Sequence, residues 1–314
     1  MLRYLLRRLA LSVPLVFLVT IATFIMVALI PGDPAVRILG GGDTAAQYRA
    51  LDVKLGLTEP ILVQYWHWLD GVLHGSLGTS LFSVQSVTSD LSQRLPVTLW
   101  LVIGATVVSL VIGVGLGVVA AAGRGPLARL VDGITWAGFA LPPFWLGLIL
   151  IELLAVRARV LPASGYVSLG QSPADWLRSL ILPVLTLAAA GATGIAKQTR
   201  DALAEVLTSE YVAALRMAGL ARRSVLVRHA LRNAAIPITT SVGLFAVAML
   251  GGTILVEQVF DMPGLGSLAV QSAADHDLPV IEGVVLYFTL FVVVINLVID
   301  LSYAWLNPRV RVAR

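Results

Sequence analysis

The 314-residue chain has no cysteine and little charge: Asp, Glu, Lys and Arg together make up 13% of it, against about 25% in an ordinary soluble domain. Without cysteine there are no disulfides, thiolate metal sites or cysteine nucleophiles. So few charges mean that much of the surface faces something other than water. The chain has only two lysines, Lys54 and Lys197, and neither follows a glycine. It therefore lacks a Gly-x-x-x-x-Gly-Lys-Ser/Thr loop, in which backbone amides and the lysine hold nucleotide phosphates. A Gly-x-Ser-x-Gly elbow for acyl transfer is also missing. The histidines, His67, His74, His229 and His276, show no His-Glu-x-x-His spacing; His67 and His74 share at most one helix face in a polar segment. No catalytic, cofactor-binding or metal site is expected in this chain.

Apolar residues dominate what is present. Hydrophobic residues make up 58% of the chain, and the mean hydropathy is +0.89. Six runs reach the length of about 20 residues needed to cross a bilayer: Leu9–Ile30, Val97–Ala122, Leu130–Val156, Leu177–Ala196, Ala235–Val256 and Ile281–Leu306. The first could be read as a secretory signal, since Arg3, Arg7 and Arg8 precede it. Its apolar run is too long and no small-x-small cleavage site follows, so it is expected to be a retained helix. Closely spaced glycines in the second and fourth runs (Gly113, Gly115, Gly117; Gly191, Gly194) are expected to let helix backbones approach closely. The fold class expected is an all-α polytopic membrane protein with six transmembrane helices. Its organisation is a helix plus polar segment over 1–96, five helices over 97–306 interrupted by an Arg-rich loop at 197–234, and a tail at 307–314.

Charge placement sets the expected orientation. With a cytoplasmic amino terminus, the basic residues outside are Arg37, Arg49, Lys54, Arg94, Arg157, Arg159 and Arg178, and the other 15 of the 22 lie inside. Four of those seven sit in the long first loop, where the positive-inside rule counts little. Both termini are then cytoplasmic. The net charge of +4 is read as this orientation signal and as lipid contact, with no nucleic-acid partner.

Polar residues within the runs are few. Glu152 lies in the third and is expected near Arg157 or the headgroups. Asp300 lies in the sixth, with Asn296 and Tyr303 on its helix face, and a structural hydrogen-bond cluster is expected there. A proton relay in an ion-coupled transporter is the competing reading. The 197–234 loop carries a short helix over Ser209–Ala218, then Gly219, then a second helix from about Ala221. Regular helical spacing puts Leu220, Val227, Leu231 and Ala234 on one face and Arg222, His229 and Arg232 on the other. Lipid or a partner protein would suit such a basic amphipathic helix, and the glycine corner favours a partner.

Nearly end to end, the chain resembles the inner-membrane permeases of dipeptide, oligopeptide and nickel ABC importers. The likeness rests on Leu2-Arg3-Tyr4-Leu5-Leu6-Arg7-Arg8, Pro31-Gly32-Asp33-Pro34, Gly75-Ser76-Leu77-Gly78-Thr79-Ser80, Arg94-Leu95-Pro96-Val97-Thr98-Leu99, Pro142-Pro143-Phe144-Trp145, Arg228-His229-Ala230-Leu231-Arg232-Asn233, Pro263-Gly264-Leu265-Gly266 and Pro308-Arg309, in that order. The resemblance implies a type I ABC importer permease fold in the plasma membrane. It implies as partners a second homologous permease, two ATPase subunits that carry the ATP and magnesium, and an external binding protein that delivers peptides; nickel or another small solute is the alternative cargo. In that family a Glu-Ala-Ala-x-x-x-Gly loop forms the helix that docks on the ATPase. Gly219 fits its glycine, whereas Ala213, Ala214 and Leu215 stand at the Glu-Ala-Ala positions. The implied coupling residues are Tyr211, Ala213, Ala214, Ala218, Gly219, Arg222 and His229.

Overall fold

The computed structural model describes residues 2–29, 34–40, 42, 44–83, 85–123 and 126–306. The expectations for Pro31, Gly32, Asp33, Arg124 and the tail 307–314, Asn307, Pro308 and Arg309 included, lie outside the described residues. Among the described residues every regular element is helical, and the chain divides into two units.

The first unit comprises 1–98 and 263–293. It contains α1 (Leu2–Ala28), α2 (Pro34–Leu39), α3 (Ala45–Lys54), α4 (Ile61–Leu73), the start of α5 (Val87–Ala122), α12 (Leu265–Asp275) and the start of α13 (Leu278–Leu306). Thr44 and Gln47 close a capping box at the start of α3, with the Thr44 N–H donating to Gln47 Oε1 at 2.8 Å. An aromatic cluster joins α1 to α4: Phe24 meets Tyr65 edge-on at 5.4 Å, and Tyr65 Oη lies 3.1 Å from Thr20 Oγ1. The core is Leu77, Val87, Leu91, Leu265, Leu268, Val280, Val284 and Leu286. Gly283 belongs to it because a Cβ there would lie 2.8 Å from Val87 and 2.9 Å from Leu91.

The Gly75–Ser80 motif acquires a structural role in this unit. Gly78 has φ +84°, a left-handed conformation suited to glycine, and it turns the chain so that the Ser80 hydroxyl donates to Asp277 Oδ2 at 2.6 Å. The Leu81 N–H donates to Asp277 Oδ1 at 3.3 Å. Asp277 itself precedes α13, and its carbonyl accepts from the Ile281 N–H at 3.0 Å, so one residue ties the 31–96 segment to the head of the last helix.

The second unit comprises 99–262 and 294–314. Its centre is α8 (Pro173–Leu207), which starts with Ser172 as N-cap and Pro173 in the first turn. Of the five helices long and apolar enough to cross a membrane among the described residues, α8 is the most enclosed, with 78% of its apolar window buried against 11–33% for the other four. Glycines allow that enclosure. A Cβ on Gly117 would lie 2.5 Å from Thr199 Cβ and 2.6 Å from the Ala196 carbonyl, and one on Gly194 would meet the Phe245 ring at 1.9 Å. Helices α5 and α11 (Leu231–Val259) thus pack on α8 at a distance that only glycine permits. Ser109 Oγ adds a bond to the Ala188 carbonyl at 2.9 Å.

The expected third span differs from the other five. Instead of one helix over Leu130–Val156, the structure has α6 (Pro126–Ala140), a break at Leu141–Pro142, then α7 (Pro143–Leu150) running into a π-helical turn, Ile151–Arg157. Pro142 and Pro143 cause the break: neither has an N–H to donate, and each ring clashes with the carbonyl one turn earlier. Hydrophobicity alone does not register this interruption.

Candidate functional site

The Arg-rich loop grows out of the last turns of α8. There Lys197 pairs with Asp201 at 2.9 Å, and Arg200 reaches Asp132 of α6 at 2.7 Å. The chain turns at Thr208 and Ser209 and enters α9 (Glu210–Met217), with Glu210 at the end where the helix dipole favours a negative charge. Val212 is the one fully buried residue of α9. An eight-residue helix is too short to stand alone, so tertiary contacts and caps must hold it.

Gly219 supplies the carboxyl-terminal cap. It has φ +80°, the Gly219 N–H donates to the Arg216 carbonyl at 3.0 Å, and the Leu220 N–H donates to the Leu215 carbonyl at 3.2 Å. These two bonds, with glycine in the left-handed region just past the last helical residue, form a Schellman motif. No atom lies within 4 Å of a Cβ built at Gly219, so the glycine is required by the backbone turn and not by crowding.

Beyond the corner, α10 (Arg222–Ser224) continues through a second π-helical segment, Val225–Ala230, into α11. This segment corrects one expectation. Val227 is 54% exposed, while Val225 and Ala230 are buried. A π turn takes up an additional residue, so the buried stripe runs through Val225, Ala230 and Ala234 in place of the 220-227-231-234 face that regular spacing gives. Arg222 and Arg232 are exposed as expected, and His229 is half-buried.

The implied coupling residues do gather at one corner. Ala213, Ala214, Ala218 and Gly219 are exposed on α9 and its cap. Tyr211 accepts a hydrogen bond from Asn233 Nδ2 at 2.7 Å. The Arg222 guanidinium donates to the Ala122 carbonyl at the end of α5, at 2.5 Å. Sequence reasoning missed Met217, at 83% the most exposed large apolar residue among the described residues. Its position in a polar loop, on the open face of a capped helix, was the available signal.

The polar residues of the apolar runs separate. Glu152 pairs with Arg157 at 2.9 Å, and both are well exposed. Asp300 is buried and Asn296 is exposed, while Tyr303 Oη lies 2.6 Å from Thr240 Oγ1 on α11. Tyr303 therefore joins two helices, whereas Asn296 stays apart. His67 lies 3.2 Å from Glu59, and His74 Nδ1 lies 2.8 Å from the Asp70 carbonyl, so the two histidines engage different partners. Among the described residues no group of three His, Cys, Asp or Glu is arranged for a metal ion.

Five helices long and apolar enough to cross a bilayer among the described residues, with a short, capped, exposed corner between two of them, define a multi-pass membrane protein. Comparison with known proteins makes the assignment specific: the chain belongs to the binding-protein-dependent transport system inner membrane components. The model of that family matches residues 113–312, and the model of its N-terminal part matches 1–102. A glutathione transport system permease protein of Salmonella choleraesuis is 40% identical over 99% of both chains. A putative peptide transport system permease protein of Brucella abortus is 38% identical over 98% of both. A probable peptide ABC transporter permease protein of Sinorhizobium fredii is 38% identical over 98% of this chain and 99% of its own. A chain of the inward-facing MetNI methionine ABC transporter superposes with a TM-score of 0.55 at 18% identity, covering 69% of this chain and 96% of that one, and so shows the fold. The chain is a multi-pass permease subunit of an ABC importer and a transport component, not an enzyme. Family membership implies ATPase and substrate-binding partners.

Proposed function

We propose that this chain forms half of a peptide passage: it pairs with a second homologous permease, two ATPase subunits dock on the inner side, and an external binding protein delivers the peptide. In this reading the chain makes six crossings with both termini cytoplasmic. The Pro-interrupted run of α6, α7 and the π turn acts as the third crossing, and it leaves the 197–234 loop on the basic, inner side. ATP and magnesium stay on the partner subunits.

The observation that carries the reading is the α9 corner. A helix held by a Schellman cap, with small side chains and an exposed methionine outward, suits insertion into a cleft of the ATPase. Ala213, Ala214 and Ala218 let the backbone approach closely. Met217 supplies an adaptable apolar contact. Binding of ATP would favour one of two transporter states through its differential affinity, and α9 would carry that bias to the membrane helices. The peptide cargo is supported by full-length relatives named for peptide and glutathione transport.

The test is to purify the full-length tagged chain from detergent-solubilised membranes and assay the eluate for ATP hydrolysis. A second permease and P-loop subunits should copurify. Met217→Asp should release the ATPase while leaving the chain in the membrane. A chain that elutes alone would contradict the proposal.

A further inference from the structure

The α9 corner has a held side as well as an open one. Two side-chain bonds, each spanning many residues, fix it to the ends of different membrane helices. Arg222, three residues past Gly219, donates to the Ala122 carbonyl at 2.5 Å, bridging 100 positions. Ala122 is the last residue of α5, where helical carbonyls lack intrahelical donors and the dipole is negative. A guanidinium is well matched to that end, both as donor and as charge. The second tie is Asn233 Nδ2 to Tyr211 Oη at 2.7 Å, which joins the first turn of α11 to the first turn of α9. α9 also follows α8 through Thr208 and Ser209 alone. The corner is thus bound to α5, α8 and α11.

Building on the proposed function, we infer that Arg222 is a positioning residue: an intramolecular strut that carries movement of α9 to α5, and not a contact for the ATPase. The bond geometry supports this division. The guanidinium is committed to a carbonyl within its own chain, whereas Met217 and Ala218 extend outward without such ties. α5 packs on α8 through Gly113 and Gly117 with no spare room, so a pull on its inner end is carried into the packed helices as a rigid displacement and is not absorbed by loose side chains. The Tyr211–Asn233 bond acts in parallel and keeps α9 from rotating about its own axis when the strut is loaded.

The experiment compares the wild-type complex with Arg222→Ala, Arg222→Lys and Tyr211→Phe complexes, each purified with its ATPase subunits and reconstituted. Three quantities are read: ATPase subunits retained, hydrolysis rate, and peptide imported per ATP. Arg222→Ala should retain the ATPase and continue to hydrolyse, while peptide imported per ATP falls about tenfold, the change expected when a hydrogen bond worth about 1.4 kcal/mol no longer favours the coupled arrangement. Arg222→Lys, which keeps one donor and the charge, should recover part of the loss, and Tyr211→Phe should give a smaller decrease with the ATPase retained. Because the chain contains no cysteine, spin labels at Val119→Cys and Leu220→Cys report the α5-to-corner distance directly, and Arg222→Ala should broaden it. Loss of ATPase subunits from Arg222→Ala would make Arg222 a docking contact and overturn the inference while leaving the proposed function standing. Unchanged peptide per ATP with an unchanged distance would also overturn it. A wild-type chain that brings down no ATPase would remove the functional reading itself.

Discussion

Substitution of Gly219 separates the backbone role of the corner from its docking role. The residue has φ +80°, and a Cβ there meets nothing within 4 Å. The only structural cost of a side chain is therefore the left-handed backbone, about 1–2 kcal/mol for most L-residues and less for Asn and Asp, which adopt that region more readily. A loss of 1–2 kcal/mol lowers the population of the formed corner by a factor of about 5–30. Gly219→Asn should then keep the Schellman bonds and most transport. Gly219→Val should insert normally and transport poorly, because a β-branched residue resists that φ. Gly219→Asp should also insert, yet abolish transport, since under the proposed docking it places an unpaired carboxylate in the α9–ATPase contact, where it must lose water. The assay is ATP-driven uptake in proteoliposomes, normalised to the amount of chain in the membrane. Wild-type uptake by Gly219→Asp, or Gly219→Asn impaired as severely as Gly219→Val, would refute the reasoning.

Other substitutions test the packing, the first unit and the competing transport mechanism. Gly194→Ala puts a Cβ 1.9 Å from the Phe245 ring; it should lower the Tm of the detergent-solubilised protein by the equivalent of about 1–3 kcal/mol, and a second change, Phe245→Leu, should restore part of it. Burial raises the Asp277 carboxyl above the ordinary carboxylate range, against the smaller opposing effect of the Ser80 bond. Its folded-state pKa therefore lies above the unfolded one, so its contribution to stability is present in acid and is lost as pH rises through the raised value. The wild-type Tm should decline over that window relative to Asp277→Asn, and superimposable pH profiles would disprove the assignment. Asp300→Asn and Glu152→Gln should preserve ATP-driven uptake, because Glu152 is paired with Arg157 at the surface and neither residue is required as an ion coupler.

The sequence showed most of the architecture where the physics is local. Apolar length marks the spans, and a glycine after a short amphipathic stretch marks the corner. Gly113, Gly117 and Gly194 pack as their spacing suggested. What was not legible depends on contacts distant in sequence or on a local change of helical period. Pro142 and Pro143 were read as a family motif, yet their backbone consequence is to divide the third span. Val227 was assigned to the buried face because regular helical spacing puts it there; the π turn from Val225 to Ala230 shifts the phase and exposes it. Asp277, between the fifth and sixth apolar runs, is 4% exposed, and Glu282, at the start of the sixth, is fully buried; neither burial is visible in the sequence. Only the fold brings Ser80 across 197 positions to Asp277. The family resemblance places Arg222 among the coupling residues. Its partner, a backbone carbonyl 100 residues earlier, leaves no trace in composition or spacing.

The most direct test of the central claim is peptide uptake into proteoliposomes that contain the copurified complex, with magnesium and ATP sealed at the ATPase face and the binding protein with labelled peptide at the opposite face. Uptake that requires ATP and the binding protein, persists when ionophores collapse all ion gradients, and survives Asp300→Asn is the predicted result. Uptake by this chain alone, driven by an ion gradient without ATP and abolished by Asp300→Asn, would contradict it.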